Sequence, residues 1–148
     1  MWDFFISFTI MKTGIKFLKK YFSKLFFPVA WTIIILILLM LPGNMLPNEK
    51  HFKIPNFDKF VHISLFGGFV FLWCLYISTR NFSINKNLVL FFWIFTTGIA
   101  LGISMEFVQK YFIPFRDFSL GDIIADMIGA SIGYGVSNIY LVEEIDTH

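Results

Sequence analysis

Polar groups interrupt the apolar stretch SMEFVQKYFIPFRDFSLGDIIADMIGASIG, which runs from residue 104 to residue 133. Within 21 residues it carries carboxylate, amide and guanidinium groups on Glu106, Gln109, Arg116, Asp117, Asp122 and Asp126. A second polar group begins another apolar run and consists of Asp58, Lys59 and His62. Carboxylates and imidazoles act as general bases, and an arginine fork holds phosphate or carboxylate by two bonds. These residue types favour binding of an anionic ligand, or chemistry on one.

The composition around these groups is that of a membrane protein. Hydrophobic residues make up 57% of the 148 residues, aromatic residues make up 20%, and the mean hydropathy is +0.72. Charged residues make up 15%, against about 25% in soluble domains. A net charge of +2 without a basic patch gives no indication of a nucleic-acid partner. The single cysteine, Cys74, excludes an internal disulfide and a cysteine-based metal cage, and we predict no cofactor.

Four apolar segments are predicted to span the membrane, because each approaches the length of about 20 residues that a spanning helix needs. They cover roughly residues 24–42, 62–79, 87–112 and 122–142. The lysines and aromatics before them predict an interfacial amphipathic helix, and the alternative of a signal peptide lacks a small-residue cleavage site. The prediction is an all-α, polytopic four-helix bundle at 24–142, an N-terminal amphipathic segment at 1–23 and an acidic tail at 143–148. Met11 is an alternative start.

The distribution of lysine and arginine predicts the orientation. The N-terminal segment and the turn at 80–86 together hold seven basic residues, whereas the other two loops with their flanks hold five. Because the more basic side stays inside, we predict that both termini are cytoplasmic. The polar residues at 58–62, 106–109 and 116–126 then meet at the extracytoplasmic face.

The spacing of these polar residues places them on shared helix faces. Residues three or four apart are neighbours on a helix, which pairs Asp58 with His62, Glu106 with Gln109 and Asp122 with Asp126. Small residues repeat at intervals of four in two rows, Gly98–Gly102–Glu106 and Ala125–Gly129–Gly133–Ser137. Such rows let membrane helices approach closely. We therefore expect one inward-facing polar site, with Arg116 as the partner of the Glu106 carboxylate.

Three motifs carry a resemblance to a known family. They are D-K-x-x-H at Asp58–His62, E-x-x-Q-x-x-x-x-x-x-R at Glu106–Arg116, and F-S-x-x-D-I-x-A-D-x-x-G-A-x-x-G at Phe118–Gly133. In this order, and with a proline-containing first loop, the chain resembles the VanZ-like membrane protein family over roughly residues 26–140. Two positions differ from the family pattern, which has glycine where Phe115 stands and asparagine where Asp126 stands.

The resemblance implies a small multi-pass protein of the bacterial inner membrane. The family's namesake is associated with low-level resistance to the lipoglycopeptide teicoplanin, but the resemblance does not extend that phenotype to this chain. It supports a membrane location and a cell-envelope role more directly than it supports a reaction.

The first functional hypothesis is binding or remodelling of an anionic membrane lipid or lipid-linked envelope precursor. The residues predicted to bind it are Asp58, Lys59, His62, Glu106, Gln109, Arg116, Asp122 and Asp126. The second hypothesis is a membrane-embedded hydrolase or transferase acting on such a lipid, with His62 or Glu106 as the general base. The third is a structural or assembly subunit, and a small transporter is a further alternative.

Simpler interpretations stand beside these for single residues. Lys59 and Lys110 are compatible with snorkelling to lipid headgroups, Asp122 with capping a helix, and His62 with a satisfied interface histidine. A Glu106–Arg116 ion pair is compatible with a purely structural role. No metal is predicted, although a divalent ion held by His62, Glu106, Asp122 and Asp126 is left open, because that ligand set is not diagnostic.

Overall fold

The computed structural model describes residues 13–14, 17–45, 57–80 and 82–142, and no strand occurs in these ranges. The four main helices are α1 (Phe26–Met40), α2 (Phe57–Ser78), α3 (Ile84–Phe112) and α4 (Leu120–Ser137). A 3-10 turn at Gly43–Met45 follows α1, and a π turn at Asn138–Val142 continues α4. The all-α class is therefore confirmed for this part of the chain.

Two of the helices are long and apolar enough to cross a membrane. They are α2, with 22 residues, and α3, with 29 residues. Helix α1 has only 15 residues, which at 1.5 Å per residue reach about 22 Å, short of the ~30 Å of a bilayer core. Helix α4 has 18 residues and includes two carboxylates and several glycines. Each predicted span thus corresponds to a helix, but only two helices meet the criterion for a span.

The helix boundaries follow from local sequence signals. Helix α2 begins at Phe57, five residues before the predicted start, so Asp58 and Lys59 lie inside its first turn. Helix α3 ends at Phe112 because Pro114 disfavours helical geometry in the residue before it. Helix α4 begins after Ser119, whose hydroxyl accepts a hydrogen bond from the Asp122 amide at 3.2 Å.

Glycines allow α2 and α4 to pack backbone against backbone. A Cβ added to Gly129 would collide with the carbonyl of Ile63, and one added to Gly133 would collide with the carbonyl of Gly67. The predicted row of small residues in α4 therefore does face a neighbouring helix. Side chains of all four helices and of the π turn complete the apolar core, including Ile35, Phe66, Val70, Cys74, Leu75, Phe91, Ala130 and Leu141.

Two tryptophans attach α1 to α2. The indole nitrogen of Trp31 donates to the carbonyl of Leu65 at 2.9 Å, and that of Trp73 donates to the hydroxyl of Thr32 at 3.1 Å. The Trp31 ring lies over Gly68, where an added Cβ would come within 2.8 Å of it. This contact holds the shortest main helix against the bundle.

One end of the bundle collects the end of α1, the start of α2, the end of α3 and the start of α4. The Gly43 amide donates to the Pro114 carbonyl at 3.1 Å, so the segment after α1 meets the loop between α3 and α4. We call this end of the bundle, formed by residues 39–45, 57–62, 106–119 and 120–126, the polar end. It brings together every residue that the sequence analysis selected as a candidate ligand contact.

The predicted amphipathic segment is described only in part. Residues 13–14 and 17–22 are helical, with Leu18 and Phe22 against the core and Phe17 and Tyr21 exposed. The rest of residues 1–12, residues 15–16 and the acidic tail at 143–148 lie outside the described residues.

Candidate functional site

A buried histidine–carboxylate pair joins α2 to α4 at the centre of the polar end. The Nδ1 atom of His62 lies 2.8 Å from Oδ1 of Asp126, and the two residues are 2% exposed. Because an ionised carboxylate only accepts hydrogen bonds, Nδ1 is the donor, and Nε2 keeps its lone pair in the neutral ring. The pair thus fixes both the orientation and the tautomer of His62.

The free edge of His62 faces two further carboxylates. Oδ1 of Asp58, one helical turn earlier, lies 4.0 Å from Nε2, and the Asp58 side chain is 41% exposed. One ligand atom each from Asp58, His62 and Asp122 lies within 4.8 Å of the other two. The sequence spacing predicted the first of these pairs, and the helix packing adds Asp122.

Lys59 and Asp122 form an ion pair across the start of α2 and α4. The Nζ atom of Lys59 lies 3.1 Å from Oδ1 of Asp122, whose side chain is 8% exposed. Lys59 is therefore engaged with a carboxylate, although 41% of its side chain remains exposed. The interpretation of Asp122 as the helix cap is wrong, because Ser119 caps α4 and Asp122 lies in the first turn.

Glu106 and Gln109 are buried and bond to backbone groups. Oε2 of Glu106 accepts from the Ser119 amide at 2.9 Å, and the side-chain amide of Gln109 donates to the Leu39 carbonyl at 2.9 Å. Each residue is 1% exposed. Glu106 therefore ties the α3–α4 loop to α3, and Gln109 ties α3 to the end of α1.

The expected pairing of Glu106 with Arg116 does not occur among the described residues. Nε of Arg116 lies 3.5 Å from the carbonyl of Leu41, just past the end of α1. The physical reason is the turn at Pro114 and Phe115, where Phe115 has a φ of 60°. This turn presents the Ser119 amide to Glu106 and sends Arg116 to a helix C-terminus, where unsatisfied carbonyls attract cations.

Two features of the site escaped the sequence analysis. Ser119 supports both Asp122 and Glu106, and its signal was the S-x-x-D pattern of a capped helix start at Ser119–Asp122. An aromatic and apolar rim also surrounds the polar end, with five side chains 59–78% exposed: Phe60, Tyr111, Phe112, Phe115 and Leu120. Lys110 lies over the edge of this rim, 5.3 Å from the Tyr111 ring centroid.

The charges of the polar end do not balance. Four carboxyl groups are present, on Asp58, Glu106, Asp122 and Asp126, and three of them belong to buried residues. The cationic partners among the described contacts are Lys59, on Asp122, and His62 when it is protonated. The site therefore combines buried acids with basic groups at its edge.

Comparisons with protein-family models, with curated proteins and with solved structures find no match to this chain.

Proposed function

We propose that this chain is a VanZ-like integral membrane protein that binds an anionic lipid, or a lipid-linked envelope precursor, through its phosphate at the polar end. The observation that carries the proposal is the position of Lys59 and Arg116, at the edge of a buried polar site and inside a rim of exposed aromatic side chains. Charged donors suit a phosphate, and a ring of aromatic side chains suits the depth of lipid headgroups.

The outer faces of the two shorter helices support a four-span arrangement. Ile124, Ile128 and Ile132 form a stripe along α4 and are 46–57% exposed. Ile33 and Ile37 on α1 are 51% and 57% exposed. Lipid is the solvent that suits such side chains, so α1 and α4 would cross the membrane beside α2 and α3, with tilt and local thinning compensating for their length.

The lysines of the N-terminal segment support the placement of the polar end. Lys19, Lys20 and Lys24 precede α1, whose far end contributes Leu41 to the polar end. By the positive-inside rule, these lysines stay in the cytoplasm of a bacterial cell and the polar end lies at the extracytoplasmic face. Envelope precursors and anionic lipids are the phosphate-bearing ligands available there.

A second candidate function is a membrane-embedded hydrolase or transferase that acts on the same lipid. The buried His62–Asp126 pair favours it, because a carboxylate that orients a histidine through Nδ1 leaves Nε2 ready to accept a proton. Arg116 would stabilise negative charge that develops on the phosphate. Glu106 is less suited to the role of base, since one of its oxygens is already occupied by Ser119.

Lipid retention tests the proposal. The detergent-purified protein is incubated with an anionic phospholipid, a polyprenyl phosphate or a neutral phosphatidylcholine, and bound lipid is counted by native mass spectrometry. Arg116→Lys keeps the charge but loses the fork, and we expect it to weaken retention of both anionic lipids by about tenfold, from loss of a charge-assisted hydrogen bond. Retention unchanged in a stably folded Arg116→Lys protein would favour the structural role instead.

The matched control is Arg80→Lys. Arg80 lies at the opposite end of α2, over the Tyr76 ring at 4.3 Å from its centroid. The same chemical change there should leave lipid retention intact. Equal losses in both variants would show that the lipid responds to bulk charge rather than to the polar end.

A further inference from the structure

The polar end contains a set of side chains that matches the donor set of a divalent metal site. Asp58, His62 and Asp122 offer one oxygen, one nitrogen and one oxygen, all within 4.8 Å of one another. Imidazole and carboxylate together suit Zn²⁺ and Mn²⁺, and three protein ligands leave a coordination position open.

His62 provides a second and independent observation. The residue is 2% exposed, and its Nε2 atom makes no hydrogen bond to the described residues, since Asp58 Oδ1 at 4.0 Å is too distant. Meanwhile Asp126 holds Nδ1 at 2.8 Å. Histidines that bind metals typically donate their other nitrogen to a carboxylate, which fixes the ring and raises its basicity as a ligand. The unpartnered nitrogen therefore points at the two carboxylates, with its orientation already set.

The excess of carboxyl groups favours a cation at this position. Glu106, Asp122 and Asp126 are all buried, and a buried charge without a partner is strongly unfavourable. Lys59 compensates only Asp122 among the described contacts. Bound Zn²⁺ or Mn²⁺ would supply two positive charges at the centre of the acids, and would also reduce the repulsion that they exert on an approaching phosphate.

We infer that Asp58, His62 and Asp122 bind one divalent transition-metal ion of the Zn²⁺ or Mn²⁺ class, with Asp126 positioning His62. Tetrahedral Zn²⁺ with bonds of about 2.0–2.1 Å holds its ligand atoms roughly 3.4 Å apart, so the three side chains must close by about 1 Å. Asp58 is half-exposed and free of short contacts, so it can rotate inward. The ion takes Nε2, which excludes His62 as the general base whenever the site is loaded.

Lys59 makes a prediction of opposite sign to that of the lipid proposal. Its ammonium group lies on Asp122 and competes with a metal for that carboxylate. Lys59→Met should therefore raise the metal affinity by roughly tenfold, because it removes one charge-assisted bond that the metal must displace. The same substitution should weaken retention of an anionic lipid. Metal binding and lipid binding can thus fail independently of each other.

The experiment is calorimetric titration of EDTA-treated, detergent-purified protein with Zn²⁺, Mn²⁺ or Mg²⁺ alone, without lipid. We expect one Zn²⁺ or Mn²⁺ per chain and weaker binding of Mg²⁺. Asp58→Asn should weaken binding at least tenfold, and Asp126→Asn should weaken it by about 10–100-fold as a positioning residue. The matched control is Asp117→Asn, an exposed acid in the adjacent loop, which should bind like the wild type.

Melting of the metal-free proteins shows that each variant is folded before it is titrated. Asp58→Asn serves best here, because its half-exposed side chain makes no short bond in the fold. Absence of Zn²⁺ and Mn²⁺ binding by the wild-type protein would overturn the inference. Equal affinities in the wild type, Asp58→Asn and Asp117→Asn would overturn it too, since the metal would then be bound elsewhere.

Discussion

At the residue scale, buried side chains do most of the work of holding the loops of the polar end. Glu106 binds the Ser119 amide, and Gln109 binds the Leu39 carbonyl, so each ties a loop or helix end to α3. Removing a buried partner leaves the other group without a hydrogen bond, which costs about 1–3 kcal/mol. These residues are therefore part of the fold whether or not they also touch a ligand.

Phe115 gives the residue-scale prediction. Its φ of 60° lies in the left-handed region, which L residues other than glycine occupy at a cost of about 1–3 kcal/mol. Its side chain is 78% exposed and contributes little packing. We expect Phe115→Gly to raise the melting temperature in detergent by a few degrees, because glycine adopts this conformation without a Cβ penalty.

The control for this prediction is Phe112→Gly. Phe112 is 77% exposed but lies at the end of helix α3. Glycine in a helix is less favourable than other residues by up to about 1 kcal/mol, so this variant should melt lower than the wild type. A lower melting temperature in both variants would mean that exposed ring contacts outweigh the backbone term.

At the element scale, the contact between α2 and α4 decides the geometry of the site. His62 with Asp126 and Lys59 with Asp122 both cross this contact. Gly129 and Gly133 lie against the backbone of α2, which lets these short side chains reach each other. Close packing of small residues is the usual way for membrane helices to associate.

Substitution of Gly129 tests this contact. An added Cβ would meet the carbonyl and Cα of Ile63, which are backbone atoms and cannot rotate away. We expect Gly129→Ala to lower the free energy of unfolding by about 1–3 kcal/mol, as overpacking does. Reversible unfolding in mixed detergent micelles measures the change.

Gly135→Ala is the matched control on the same helix. No atom lies within 4 Å of a Cβ added there. Alanine is the better helix former by roughly 0.5–1 kcal/mol, so this variant should be at least as stable as the wild type. Destabilisation by Gly135→Ala equal to that of Gly129→Ala would contradict a specific contact at Gly129.

At the scale of the whole molecule, the polar end is one surface built from four helix ends. The loop after α1 meets the loop after α3 through Gly43 and Pro114, and α2 and α4 both start there. In a four-span arrangement all these groups lie on one side of the membrane. The N-terminal lysines then lie on the other side.

Cysteine labelling tests this arrangement. In a Cys74→Ala background, Asp117→Cys should react with a membrane-impermeant thiol reagent in intact cells, whereas Lys20→Cys should react only after the cells are opened. Asp117 and Lys20 are both exposed, so accessibility in the fold does not separate them. Labelling of both positions from the same side would contradict the four-span model.

The amino-acid sequence alone determined the helical class and the end of the bundle at which the polar residues gather. Apolar periodicity, prolines at 42 and 114, and rows of small residues are local signals, and each has one structural solution in an apolar solvent. The spacing of Asp58 with His62 and of Asp122 with Asp126 likewise followed from the helical repeat alone. The lengths of α1 and α4 were less well predicted, because carboxylates and glycines lower their apolar character.

Only the tertiary structure decided which polar groups pair. Sequence spacing suggested Glu106 with Arg116, but Glu106 bonds to the Ser119 amide and Arg116 lies near the Leu41 carbonyl. Likewise Asp126 pairs with His62, 64 residues away in the chain. A hydrogen bond forms only within about 3 Å, and separations of that size depend on how helices cross and how one loop turns. Helix packing at Gly129 and the backbone turn at Phe115 fix those separations, and neither is written in the spacing of the polar residues themselves.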